Sequence, residues 1–368
     1  MKTALIIGGG FSGCAAAHQL ALKGGWDVTL VEKADCLGGG VQTLFYGGHP
    51  YTFGPRHFLT PWQDVYDYLN KIIPMRRCAE HEFVTYIEQD SDFYSFPIHE
   101  EDLPRMPEYE KIKQELENAS GAELAKNLED YWIASIGNTL YDKFIDKYSK
   151  KMWQISDNQE IDDFSWSPKG ATIKSGPRAA WDKSISAYPV AIDGYNAYFD
   201  IATAEAKVLL GTTIESYDFP NKSVVIDGEV RKFDIIVSST APDIPFDYCY
   251  GELPFVGRDF HKIVLPIEFA FPDNVYFVYY AGTEQFTRIV EYKKLTLHKS
   301  PHTILGLEIP SMRNKLYPLP MEKCKAMARR YHDECHEDVH HVGRAGPYLY
   351  NVDIDDCIKQ SFELIEKL

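Results

Sequence analysis

The chain is short of positive charge. Against 54 Asp and Glu it sets 38 Lys and Arg, for a formal net charge of −16 and a pI near 5.2. Nucleic acid as a partner demands clustered cations and is excluded on that ground; an anionic ligand would need a local basic island. Long apolar runs are also missing, none approaching the roughly 20 residues that cross a bilayer. The N-terminus enters an apolar strand with no basic leader segment before it, so the expectation is a soluble, unexported, cytoplasmic chain with no membrane span. Seven cysteines, an odd number without regular spacing, lay out no disulfide framework. No nucleophile elbow, no Ser-His-Asp order and no matched pair of carboxylates stands out, which leaves the reactive group to a cofactor. Repeats, low-complexity tracts and flexible linkers are lacking too.

What is present begins with length: 368 residues, 45% hydrophobic, can fill two or three cores. Thr3 to Ile7 is a continuous apolar run that meets glycines at once, as a buried parallel strand does. Ser12 to Lys23 reads as a small-residue helix and Asp27 to Glu32 as a second strand. Within this βαβ unit, Gly8-x-Gly10-x-x-Gly13 supplies the tight turn, the approach of a pyrophosphate and the close seating of helix on strand. Glu32, 19 residues after Gly13, can accept hydrogen bonds from an adenosine ribose, and Gly38 and Gly39 extend the motif in the manner of FAD rather than NAD domains. Gly54 and Phe58 would bring backbone and ring close to the flavin, or form a plain turn with a core Phe.

Further along, Trp62, Val65, Tyr66, Leu69, Ile72 and Ile73 fall at helical spacing, and charged helix-compatible sequence runs from Pro107 to Lys151. After Asp162 the texture turns to Gly, Pro, Ser and aromatics, with short strands expected at Lys262 to Phe269, Val275 to Tyr280 and Thr303 to Ile309. Asp234 to Thr240 is another continuous apolar strand returning to the nucleotide sheet, while Met321 to Tyr331 and Asp353 to Leu368 read as helices. The fold class is therefore α/β: an FAD-binding Rossmann-like domain assembled from separated segments (1–75, 187–243 and 336–368), an inserted helical bundle (100–165), and an antiparallel sheet forming the substrate domain (76–99, 166–186 and 244–335).

Three constellations point to a ligand. Phe144, Tyr148, Ser149 and Trp153 lie in FIDKYSKKMW, with 144 and 148 on one helical face, able to sandwich a nucleobase and line a sugar pocket unless they are core packing. Lys169, Lys174, Arg178 and Lys183 face one acid, Asp182, between Phe164 and Ile192; this is a candidate basic island, although each cation could equally be a solubilising surface charge. Arg288, in FTRIVEYK, offers a planar bidentate donor for phosphate, and Tyr317, Tyr348 and Tyr350 offer phenols. His332, Cys335, His336, His340 and His341 match no zinc spacing and are read as a helix end and turn, so no metal is expected.

In this order and at these separations, the FAD fingerprint, YSKKMW, FTRIVEYK and GRAGPYLY resemble the bacterial UDP-galactopyranose mutase family across nearly the whole chain. The resemblance implies an isomerase of polysaccharide biosynthesis that interconverts the pyranose and furanose forms of a nucleotide-diphosphate sugar, with N5 of reduced FAD as nucleophile at the anomeric carbon. It leaves a homodimer open. By position it implies nucleotide and sugar contacts for Phe144, Tyr148, Ser149 and Trp153, phosphate binding for Arg288, and diphosphate or flavin contacts for Tyr317, Tyr348 and Tyr350. Arg344 would belong to the closing flavin turn, with Asp353 beside it among the cofactor-binding residues. Lys174 stands where the family has a mobile-loop Arg, with Arg178 able to compensate. Departures appear in the flavin-side run Gly54 to Leu59, where Arg56, counted with Arg288 and Lys174 as catalytic, and Leu59 each replace a His. Gly40 replaces a common Asn and Cys249 an Arg, so a different sugar or nucleotide is a natural consequence. The alternative reading is an amine oxidase-like FAD oxidoreductase.

Overall fold

The computed structural model describes every residue except Ala79, 165–170 and Asp182. The strand Lys2–Ile7 is buried from Ala4 onward and runs into the helix Phe11–Lys23 and the strand Trp26–Val31. Burial on both faces explains why Lys2–Ile7 reads from Ala4 as an unbroken apolar run, whereas Trp26–Val31, with Asp27 exposed and Thr29 half-buried, does not. The sheet has five parallel strands in the order 207–209, 26–31, 2–7, 235–238, 339–341. Three widely separated segments thus close one nucleotide sheet, and the expected strand near 234–240 pairs directly with the first strand. The helix Ile354–Lys367 packs on Phe11–Lys23.

The helix Phe11–Lys23 can sit on the turn because its inward residues are small: Cys14, Ala15, Ala16 and Ala17 are at most 1% exposed. The contact is tight enough to forbid a side chain, since a Cβ on Gly13 would lie 1.9 Å from the carbonyl oxygen of Gly8. Gly8 itself holds φ +97° against Ser239, a conformation that only glycine adopts cheaply.

The helical region comprises Tyr109–Asn118, Leu128–Tyr141, a π turn at Asp142–Asp146 and Lys147–Trp153. Leu128–Tyr141 is broken at Gly137, with φ +82°. The Glu115 carboxylate fills the break, accepting the Thr139 N–H at 2.8 Å and its hydroxyl at 3.1 Å.

A seven-stranded sheet runs 317–318, 255–265, 303–311, 288–291, 275–280, 82–87, 92–95. Its pairs are antiparallel except 275–280 with 82–87. The strand Phe255–Leu265 begins well before the expected Lys262, because its N-terminal half is a buried run and only its later part alternates with exposed positions. The segments 58–60, 185–189 and 75–77 form one further sheet, so divisions placed at 75/76 and 186/187 pass through hydrogen-bonded strands.

We expect Gly13→Ala to lower stability by about 1–3 kcal/mol, the usual cost of overpacking a close contact. Denaturant unfolding checks this, and an unchanged midpoint would show that helix and turn can separate without cost.

Candidate active site

One cavity of about 840 Å³ connects the C-terminal edge of the nucleotide sheet to the helical region and the large sheet. At its nucleotide end lie Gly10, Phe11 and Ser12, with Gly38 and Gly40 opposite. Gly10 has φ −71° and ψ −178°, open to any residue, and a Cβ there would meet no protein atom within 4 Å. The fold therefore gives no reason for glycine at this position, whereas a ligand lying against the turn does. The helix that starts here has no side-chain cap, which leaves its first N–H groups and positive dipole end to an anion. Glu32 accepts N–H bonds from Gly9 at 2.7 Å and Ala34 at 2.8 Å, locking the turn, while the Gly38 N–H donates to Gly9 O at 2.8 Å. Gly38 at φ +102° and Gly39 at φ +52° take the left-handed turn that carries the chain past Gly10.

At the closing turn, Arg344 donates to Val352 O at 3.0 Å and to Asp353 at 2.9 Å, while Asp353 caps Ile354–Lys367 in a reciprocal box with Asp356. Both Arg344 and Asp353 line the cavity, as do Gly54 and Arg56. Phe58 does not. It is fully buried in the strand Phe58–Thr60 and belongs to the core, which settles the choice between flavin contact and core residue in favour of the core.

At the other end, Phe144, Tyr148, Ser149 and Trp153 all line the cavity. The π turn and the short helix after it carry Phe144 and Tyr148 onto one wall. Tyr148 stands edge-on to Tyr279 with centroids 5.8 Å apart, and Trp153 meets Tyr350 at 4.7 Å. Burial pushes the Tyr148 phenol well up, so it stays protonated and can donate.

The cationic centre differs from the expected one. Strand register sets Arg288 opposite Glu308 on one side and Tyr279 on the other. Its guanidinium donates through Nε and Nη2 to the two Glu308 oxygens at 2.9 and 2.8 Å and lies over the rings of Phe277 and Tyr279. Burial alone would lower its pKa; the adjacent Glu308 carboxylate and Tyr279 outweigh burial and hold it charged. Glu308 was not foreseen, because register across a long connection is not written in either strand.

Among the described residues, the cations between 164 and 192 do not line this cavity. Lys174 donates from Nζ to Ala179 O at 2.6 Å, and its backbone bridges to the segment at Ile98 to Glu100. Arg178 pairs with buried Asp102 at 3.1 Å, with Glu101 at 3.0 Å and with Ser95 at 2.6 Å. Lys183 is exposed, and Lys169 and Asp182 lie outside the described residues. Acids on the neighbouring 3₁₀ turn Glu100–Arg105 thus engage Arg178 within the fold. Tyr348 is likewise a core residue, 1% exposed and donating to Pro254 O, whereas Tyr317 and Tyr350 do face the cavity. Cys249 is exposed and outside the cavity, so its departure from the family pattern leaves the pocket untouched.

The real concentration of cations comes from four distant segments: Arg56, Arg258, Arg288 and Arg344. Arg258, 4% exposed, was not anticipated, for it sits in the part of its strand that sequence periodicity missed. The guanidiniums of Arg258 and Arg344 each lie 4.8 Å from the Tyr317 ring. Burial would raise the Tyr317 phenol, but Arg56, Arg344 and Arg258 together outweigh it and leave its pKa below the usual value. Among the described residues no group of three or more His, Cys, Asp or Glu is placed to hold a metal ion, and no helix is long and apolar enough to cross a membrane. His332, in the last turn of the helix Glu322–Asp333, lies tilted against His341 of the strand Val339–His341 with ring centroids 4.3 Å apart, and burial lowers the His341 pKa to about 3.

Residues 143–350, which carry this aromatic wall and three of the four arginines, match the family model described as UDP-galactopyranose mutase. The chain belongs to the UDP-galactopyranose mutase family. It is thus an isomerase by family, and residues 6–72 separately match an NAD(P)-binding Rossmann-like domain. The dTDP-fucopyranose mutase of Escherichia coli is 24% identical over 99% of this chain and 97% of its own length. A probable UDP-galactopyranose mutase of Klebsiella pneumoniae is 22% identical, covering 100% and 94%. A crystal structure of reduced UDP-galactopyranose mutase superposes with a TM-score of 0.82 at 16% identity over 100% of this chain and 95% of that one, which establishes the fold.

Arg178→Ala should act on stability. It removes a partner from a buried carboxylate that retains the Ser95 N–H and Arg105, so a loss of about 1–3 kcal/mol is expected. Burial would raise the Asp102 carboxyl, but Arg178 and Ser95 hold it below its ordinary value. The pair's contribution is therefore present above about pH 4 and lost as pH falls further, so the variant's deficit should shrink on acidification. Urea midpoints across pH measure this; normal stability with weakened substrate binding would return Arg178 to the site.

Proposed function

We propose that this family member interconverts the pyranose and furanose forms of a nucleoside-diphosphate sugar, with FAD as its cofactor and the reduced flavin as the active form. The observation that carries the reading is the single cavity in which the open turn at Gly10, the arginine-rich centre and the aromatic wall of Phe144, Tyr148 and Trp153 meet. The names of the Escherichia coli and Klebsiella relatives support a sugar nucleotide as substrate.

The residues fit an FAD. The turn shaped by Gly8 and Gly13 and open at Gly10, with the uncapped helix end, would receive its pyrophosphate, Glu32 its ribose, and Gly38, Gly39, Gly54, Arg344 and Asp353 its remaining length. Bound and reduced, FAD supplies a nucleophilic N5 for the anomeric carbon and is regenerated by the isomerisation. The chain's own residues position and neutralise. Phe144 and Tyr148 stack the nucleobase, while Ser149 and Trp153 border the sugar. Arg288, two of whose nitrogens are committed to Glu308, presents Nη1 to the departing diphosphate, and Tyr317 and Tyr350 donate phenol hydrogens to it. Arg56 and Leu59 change the flavin-side wall from the family's two histidines, which favours a sugar other than galactose. An amine substrate would bring a cation into a cavity lined by four guanidiniums, and like-charge repulsion opposes that alternative.

The test is to incubate dithionite-reduced protein with a panel of UDP- and dTDP-hexoses and follow ring form by NMR. Furanose resonances should appear without stoichiometric consumption of oxygen or NADPH; one-to-one consumption, or no ring exchange across the panel, overturns the reading. Gly10→Ala should separate the cofactor from the fold. The variant is expected to unfold at the apoprotein's normal temperature yet to lose most bound FAD, because its methyl meets only the ligand.

A further inference from the structure

Charge in the cavity is unevenly settled. Arg288 is neutralised by Glu308 and Arg344 by Asp353. The other two guanidiniums lack a carboxylate partner among the described residues. The Arg258 side chain is nearly fully buried, yet among the described residues its one side-chain hydrogen bond runs from Nη1 to the neighbouring Gly257 O at 2.7 Å. Arg56 Nε is buried with no hydrogen-bond partner. A buried Arg258 without an anion, together with the unpartnered Nε of the half-buried Arg56, is costly, and a diphosphate brings about the two negative charges they lack.

We infer that Arg56 and Arg258, flanking Tyr317, clamp the substrate's diphosphate in this chain, taking the place of a loop cation at Lys174 or Arg178. The clamp rests on the mutase reading for the identity of its ligand. Arg258 lies 4.8 Å from the Tyr317 ring, and the depressed Tyr317 phenol reports the combined field of Arg56, Arg344 and Arg258. The backbone of Arg56 holds φ +45°, an uncommon conformation for a residue with a side chain, and buried Tyr195 pins it by donating to its carbonyl at 2.9 Å. Gly40 borders the guanidinium: a Cβ built there would stand in contact with Arg56 Nη2 at 3.4 Å, so a longer side chain directed there would displace it. The two departures at 40 and 56 are thus one change, in which a small residue admits a large cation.

The experiment measures calorimetric binding of UDP, dTDP, UMP and dTMP to FAD-loaded protein. Arg56→Ala and Arg258→Ala should each weaken the diphosphates about 10- to 100-fold, the range for a charge-assisted bond, and the monophosphates by less than about threefold. Gly40→Asn should reproduce the Arg56→Ala loss by displacing the guanidinium, and Lys174→Ala should change nothing. If either alanine variant fails to fold, Arg56→Lys and Arg258→Lys keep the charge without the fork and should show a smaller loss of the same kind. Wild-type affinity in both variants, or equal losses for mono- and diphosphates, overturns the clamp and leaves the mutase reading standing. A loss that disappears on saturation with FAD overturns it too, since the arginines would then serve the cofactor's pyrophosphate. Failure of the wild-type protein to bind any of the four probes defeats the mutase reading and the clamp together.

Discussion

Four guanidinium groups facing one cavity repel one another, and the architecture of the site follows from how that repulsion is met. Cross-strand pairing supplies the first answer: register places Glu308 beside Arg288, so a bidentate ion pair forms inside the sheet without any loop having to order itself. A helix end supplies the second, since Asp353 both caps Ile354–Lys367 and receives Arg344. These two pairs are rigid because each is anchored to regular structure. They leave the cavity with a positive surplus in a protein whose overall charge is −16, which focuses attraction for an anion on one place.

The nucleotide end obeys a different constraint, one of distance rather than charge. The helix Phe11–Lys23 must approach the turn after the first strand closely enough that Gly13 has no room for a methyl, and the run of Cys and Ala behind it makes this possible. Gly10 belongs to the same motif for an unrelated reason, because its missing side chain opens onto the cavity. Three glycines that look equivalent in a spacing pattern thus divide into one required by conformation, one by packing and one whose missing side chain leaves the cavity open.

Aromatic residues join the two ends. Trp153 from the helical region meets Tyr350 from the closing turn, and Tyr148 meets Tyr279 from the sheet, so elements far apart in the chain share one wall. The π turn at Asp142–Asp146 sets the rotation of the short helix that follows, and so decides which of its side chains face inward.

By itself, the sequence determined what local pattern can encode. Continuous apolar runs marked the two central parallel strands, 2–7 and 235–238, small-residue periodicity marked the first helix, and the glycines with Glu32 marked the nucleotide turn, because each depends on residues near one another in the chain. The family resemblance carried by motifs spread along its length also implied roles at one site for Phe144, Tyr148, Trp153, Arg288 and Arg344. Tertiary structure alone decided the charge arrangement. Lys174 and Arg178 look like a basic island in sequence, but Asp102, Glu101 and the Ala179 carbonyl engage them in space. Arg258 and Glu308 carried no local signal, since a buried cation on a strand and its partner across a sheet are related only by register. Phe58 and Tyr348 resemble ligand contacts until packing turns them into the core. Electrostatic attraction acts through space between groups that the backbone brings together from distant segments, so which charges are spent on the fold and which remain for a ligand was settled only when the chain closed.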